Sequence, residues 1–359
     1  MRTMCQHDDV TSPKPRLRPS VGSFAARLGR AVVLLVLFLG IPVGLTFWLV
    51  GKDEAIAAGL GSVIVLGSSM LNGRRATRYA APVTAVAVVL GALTKPVLGH
   101  AAEAPAGGWL WVAVVVMFAL LAARATEWGA GVALSTATLY AVVAPPFHDL
   151  AHLALVVAFL MLGGAYGWLL AGRLGAPVAS QAPPTTRRQA RLIALFLGIA
   201  VGIACSIVVI VEMPHSFWIV TAVVVLGVPT PGLTERAIAL RMLGQLGACA
   251  IVGLVSWGIE ALGPAHAIPL YAAATLVAAL AYLMSLGRPL PEQIAFLSAA
   301  IMMPTAAKES DHLAGLVSDR LLYNLIGLGI LALALLAVRI WAAETETSRD
   351  APPSSPSPA

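Results

Sequence analysis

Long apolar runs, broken by short polar segments, follow one another along almost the whole chain. They fall at roughly 31–50, 54–72, 80–98, 108–123, 128–146 and 152–172, and then at 192–211, 214–229, 238–259, 265–286, 290–306 and 321–341. A hydrocarbon core of ~30 Å needs about 20 helical residues to cross it. Most of the runs meet that length or nearly so, whereas 108–123 and 214–229 are shorter. Hydropathy alone therefore supports ten, eleven or twelve spans.

The basic residues choose between these counts. With twelve spans and both ends in the cytoplasm, the inside segments take up Arg74, Arg75 and Arg78, Arg124, Arg173, Arg187, Arg188 and Arg191, Arg236, Arg241, Arg288, Arg339, Arg349 and the basic N-terminal tail. Only Lys52, Lys95, Lys308 and Arg320 fall outside, so 19 of the 23 Lys and Arg residues lie inside. Cytoplasmic loops carry such an excess. If either short run failed to cross, every later loop would change sides and the bias would vanish.

Composition agrees. Of the 359 residues 59% are hydrophobic and 11% charged, and the mean hydropathy is +0.87. A soluble domain of this size cannot hide that much apolar surface in one core. Lipid-facing helices need no polar coat. Cys205 and Cys249 sit inside apolar runs, and with Cys5 they have no metal or disulfide spacing, so they read as small buried hydrophobes.

The expected layout is an all-α integral membrane protein of about twelve transmembrane helices in two parallel six-helix repeats. A basic cytoplasmic tail (1–30) carries no small-residue cleavage site, so no signal peptide is read there. The first repeat covers 31–172 and the second 192–341, joined by a Pro- and Arg-containing cytoplasmic linker at 173–191. The tail 342–359, rich in Pro, Ser and Thr, reads as disordered. The second helices of the two halves carry related strings, Val63-Ile64-Val65-Leu66-Gly67 and Val223-Val224-Val225-Leu226-Gly227, each before an arginine-bearing turn, as internal duplication would leave them.

Most informative is the segment Pro214-His215-Ser216-Phe217-Trp218-Ile219-Val220-Thr221, running to Val228-Pro229-Thr230-Pro231-Gly232. It reads as a short helix with an aromatic residue near its outer end and a proline break at its inner end. The next helix is expected to start at Leu233–Thr234, with Thr234 as N-cap. Its first turns carry Glu235, Arg236 and Arg241, and Gly244, Gly247 or Ala248, and Gly253 allow close helix approach. Transporters bind anions at such breaks, by aiming helix dipoles and arginine at a carboxylate. An ordinary cytoplasmic hairpin with positive-inside arginines fits the same residues.

A Trp near a helix start, a Thr three residues on, a Pro/Gly turn and then Arg-x-x-Gly-x-x-Gly/Ala resembles the fusaric-acid-resistance-like (FUSC) family, related to the aromatic acid exporters and the aluminium-activated malate transporters. The residues that carry the likeness are Trp218, Thr221, Pro229, Arg236, Arg241 and Gly244, with Asp319-Arg320 and Ile326-Gly327 as the closing signature. The likeness is best over about 192–340 and looser over 31–172, where Gly61, Gly67 and the Arg74–Arg78 turn take the equivalent place. Many relatives have Thr where Gln245 stands, and many carry large soluble domains that this chain lacks. The resemblance implies a transporter, not an enzyme, exporting small aromatic or other carboxylic acids across a bacterial cytoplasmic membrane. A passive anion channel and a non-transporting scaffold are the alternatives. A homo-oligomer or a periplasmic adaptor is the partner to expect beside the lipid bilayer.

For the substrate, the candidate residues are Arg236 and Arg241, with Arg74 and Arg78 in the first half, and Trp218 and Thr221 on the short helix. For proton coupling they are the acid–His pairs Glu212 with His215 and Glu260 with His266; interfacial residues in water would look the same. His148 and His152, at i and i+4, lack further ligands, so no metal is expected. Asp319 and Arg320 are expected to pair with each other. No phosphate-binding loop, zinc-protease spacing or nucleophile elbow is present, and no cofactor is implied. The basic loops flank spans, which explains them without nucleic acid.

Overall fold

The computed structural model describes residues 21–72, 74–94, 105–128, 130–143, 149–173, 185–211, 216–228, 235–262, 267–285, 290–308 and 313–350. Among these residues every regular element is helical and there is no strand. The first half comprises α1 (Val21–Leu35), a π-turn (Val36–Gly40), α2 (Ile41–Leu49), α3 (Lys52–Asn72), α4 (Arg74–Thr94), α5 (Pro105–Arg124), α6 (Gly131–Val143) and α7 (Leu150–Arg173). The second comprises α8 (Arg187–Val211), α9 (Phe217–Leu226), α10 (Glu235–Leu262), α11 (Ala267–Ser285), α12 (Leu290–Lys308) and α13 (Leu313–Asp350).

Among the described residues six helices are long and apolar enough to cross a membrane: Phe24–Leu49, Gly108–Trp128, Leu150–Arg173, Arg187–Val211, Arg236–Ile259 and Asp319–Trp341. Shorter apolar helices lie between them, at Glu54–Leu66, Arg78–Thr94, Leu134–Val143, Phe217–Leu226 and Pro269–Ser285. The two short runs of the sequence part company here. The run at 108–123 gains length at both ends, from Pro105 and from a 3-10 turn at Ala125–Trp128, and reaches crossing length. The run at 214–229 yields only the ten-residue α9.

Local chemistry explains the irregularities. Pro42 has no N–H to give the carbonyl one turn back, and its ring crowds that carbonyl. The helix widens into the π-turn just before it, and Tyr166 of α7 donates its hydroxyl to the Leu37 carbonyl there, at 2.9 Å. At the other end of the chain α13 continues to Asp350, into the tail that composition reads as disordered. Ala and Glu favour helix over Trp341–Asp350, and the first prolines come only at Pro352 and Pro353.

In the first half, α3 and α7 meet backbone to backbone. A Cβ on Gly61 would collide with the Leu160 carbonyl, and one on Gly163 with the Ala58 carbonyl. Helices in lipid gain little from burying apolar surface against one another, so small residues that permit such contact are what holds them together. The largest core joins the two halves: Trp111, Val115 and Phe118 of α5 pack with Leu197, Val201 and Cys205 of α8, with α9, and with Leu331 and Ala334 of α13. Side chains such as Trp48, Leu254, Trp257 and Leu333 point outward and are exposed, the coat that lipid requires.

At the centre lies α9. Ile219, Val220, Thr221, Ala222, Val223, Val224 and Leu226 are all buried. A helix that is apolar all round is surrounded on every side. Seven of the ten residues of α9 thus have protein, not lipid, as their solvent, which is why this helix need not be membrane-length.

Candidate functional site

The site is built around the two ends of α9. At its C-terminal end the helix stops at Gly227, whose N–H still bonds the Val223 carbonyl, and Pro229 and Pro231 follow in the sequence. The last carbonyls of a helix have no partner within it. Arg241, buried on the second turn of α10, supplies one: its Nη1 donates to the Leu226 and Val228 carbonyls, at 2.8 Å each. A cation there also meets the negative end of the helix dipole. Arg241 thus closes the end of α9.

At the N-terminal end the arrangement is reversed. Gly327 of α13 lets α9 come close: a Cβ there would meet the Ala222 Cβ at 2.9 Å and the Ile219 carbonyl oxygen at 3.5 Å. That approach sets Trp218 against Arg320, two turns earlier on α13, with the guanidinium carbon 3.5 Å from the indole centroid. Arginine over an indole face is a favourable cation–π contact. Phe217 lies against the same indole, ring centroids 4.8 Å apart. Arg320 is only 5% exposed, and its Nε and Nη1 are buried with no hydrogen-bond partner. Neither does Asp319 neutralise it, for no ion pair joins the two among the described residues. Consecutive helical residues point about 100° apart, and the pairing expected from their adjacency does not form.

Below Arg320, toward the other end of α9, run further polar groups. Asn324, one turn along α13, donates Nδ2 to Cys249 Sγ of α10 at 3.9 Å, while its Oδ1 is buried without a partner. Gln245, one turn before Cys249, is buried with its Oε1 likewise unpartnered. Arg320, Asn324, Cys249 and Gln245 form a polar seam between α10 and α13, and none of them carries a negative charge that would balance the arginine.

Residues 203–334 match the family described as fusaric acid resistance protein-like. The FUSC-like stretch starts within α8 and ends within α13, so it holds α9, both buried arginines and the seam. The resemblance carried by Trp218, Arg236, Arg241 and the closing Asp319-Arg320 is borne out over these residues; Arg74 and Arg78 lie outside them. The match points to a membrane transporter of small molecules. No curated protein and no solved structure matches the chain.

The other candidates are dispersed. Thr221 is buried and donates its hydroxyl to the Phe217 carbonyl at 3.1 Å, a bond within its own helix. Arg236 is exposed on the first turn of α10. Arg78 is exposed too, its guanidinium 4.5 Å from the Tyr79 ring centroid, and the Arg74 side chain lies outside the described residues. Glu212, His215 and His266 also lie outside them; Glu260 is on the last turns of α10, with its side chain undescribed. His152 reaches Glu54 of α3, Nδ1 to Oε1 at 4.0 Å, and no metal-binding group of three occurs among the described residues. Cys205 and Cys249 are free and buried.

Sequence reading ranked the FUSC-like arginines by nearness to the break and so favoured Arg236 and Arg241. Arg320, read there only as part of the closing signature and as a partner for Asp319, carries a further signal: it is one of four basic residues that the expected twelve-span topology leaves outside. The i, i+4 pairs Arg320–Asn324 and Gln245–Cys249, in otherwise apolar helices, are a second one.

Proposed function

We propose that this chain is a twelve-span transporter of two six-helix halves that moves small organic anions, carboxylic acids among them, out of the cell. One observation carries the reading: Arg320, in a membrane-length helix, is buried without a hydrogen-bond partner at two of its nitrogens. Arg320 stands at the start of the span Asp319–Trp341, and ionisable residues buried in membrane helices mark ion and substrate paths. A permanent positive charge selects anions, and the guanidinium fork suits carboxylate oxygens. The proposed roles follow. Arg320 binds the anion, Trp218 holds the guanidinium in place through its ring, and Arg241 and Thr221 keep α9 in shape. Arg236, Arg74 and Arg78 draw anions to the cytoplasmic end.

Purified protein in proteoliposomes, loaded with labelled benzoate and other organic acids, tests the function. Efflux above that of protein-free vesicles, saturating with concentration, is the expected result; no flux for any acid of the panel would sink the proposal. Proton coupling through Glu212, His215, Glu260 and His266 is a separate part of it. It fails if E212Q and E260Q leave the pH dependence of flux unchanged.

A further inference from the structure

Among the described residues no carboxylate pairs with Arg320, and an organic substrate would balance its charge only while bound. The cation at position 320 is permanent, because arginine does not lose its proton in proteins. Its surroundings add positive potential. Arg320 lies at the N-terminal end of α9, where the helix dipole is positive, and Ser216, the N-cap residue, is buried and makes no side-chain capping bond. The groups along the seam, Asn324, Cys249 and Gln245, are neutral side chains, and Asp319 does not pair with the guanidinium. An isolated buried charge of this kind is strongly disfavoured unless an ion of opposite sign accompanies it.

We infer that a small inorganic monovalent anion, chloride by its abundance in physiological media, binds at Arg320 between the start of α9 and the seam whenever organic substrate does not. The inference rests on the reading of this region as the anion path. A single negative charge cancels the single guanidinium charge, whereas a divalent ion would replace an excess of +1 by one of −1. The buried Nε and Nη1 groups are the donors that such an ion uses. Chloride and organic anion then compete for one arginine, and the cycle becomes an exchange in which one anion replaces the other beside Arg320. An organic acid moves one way as a halide takes its place.

Chloride NMR tests this directly. Chloride exchanging on and off a protein site broadens its quadrupolar resonance, and the signal needs no replacement anion. Wild-type protein in non-ionic detergent is expected to broaden the chloride line beyond matched empty micelles. R320Q should lose that excess completely, while R320K and R173Q, the latter at an exposed arginine at the end of α7, keep it. Excess broadening in folded R320Q equal to wild type, or none in wild type, overturns the inference. An unfolded R320Q would also lose the signal, so a second measurement uses the intact protein. Bromide should quench a saturable part of the wild-type tryptophan fluorescence, and W218F should lack that part; quenching that never saturates in wild type overturns the site as well. Benzoate added to wild type should reverse the chloride broadening. Broadening that depends on Arg320 but that no organic acid displaces would uphold the halide site and overturn the organic-anion function instead.

Discussion

Replacing Arg241 by Met separates two roles that the sequence left open for this arginine. In the structure it gives two hydrogen bonds of 2.8 Å to the Leu226 and Val228 carbonyls and is itself buried. Methionine fills similar space but donates nothing. The buried Leu226 carbonyl left without its donor costs ~1–3 kcal/mol, and the part-buried Val228 carbonyl at most as much again, so the pair comes to no more than about 6 kcal/mol. Part of that returns, because the variant no longer has to bury a guanidinium. The net loss is expected in the lower part of the range, ~2–4 kcal/mol, or a fall in Tm of roughly 5–10 °C. Thermal unfolding in detergent, followed by tryptophan fluorescence, reads this out, with R236M as the control. Arg236 is exposed at the start of the same helix, and its loss should leave Tm nearly unchanged. If R241M unfolds at the wild-type temperature but has lost organic-anion flux, the clamp argument is wrong and Arg241 is a substrate ligand.

Further expectations follow from packing. G163A should destabilise the α3–α7 pair by at least ~1–3 kcal/mol, because the new methyl group meets the Ala58 carbonyl and not a movable side chain. G253A, where a Cβ has open space, should instead raise Tm slightly through helix propensity worth up to ~1 kcal/mol. G327V should push α9 away from α13 and Trp218 off Arg320, changing the fluorescence of the folded protein; an unaltered spectrum would contradict that geometry. H152A should change stability by less than ~1 kcal/mol, since the His152–Glu54 contact is long and its imidazole partly exposed.

The reach and the failure of sequence reading have physical causes. Helical class and membrane character are set by run length and by the absence of polar residues within runs, both of which are local and thus legible. The closeness of α3 and α7 was not legible, since Gly61 and Gly163 lie about a hundred residues apart and nothing local says that they sit in one interface. The site divided along the same line. The break after α9 and the arginines that follow it are neighbours in sequence, and reading found them. Arg320 meets Trp218 across about a hundred residues of chain, and only tertiary packing makes that meeting. The assignment of Arg241 was ambiguous for another reason: a helix-capping arginine and an anion-binding arginine leave the same mark at the start of a helix.

The shortness of α9 also constrains how the protein is made. At 1.5 Å per residue its ten residues reach only about 15 Å, half of a bilayer core. Such a segment cannot settle across a membrane alone as it leaves the ribosome. Its stable surroundings include α13, which leaves the ribosome well after α9 and brings Arg320 with it. Biogenesis of the second half is therefore expected to stay unfinished until α13 is inserted, so that the seating of α9 and the meeting of Trp218 with Arg320 become a single event.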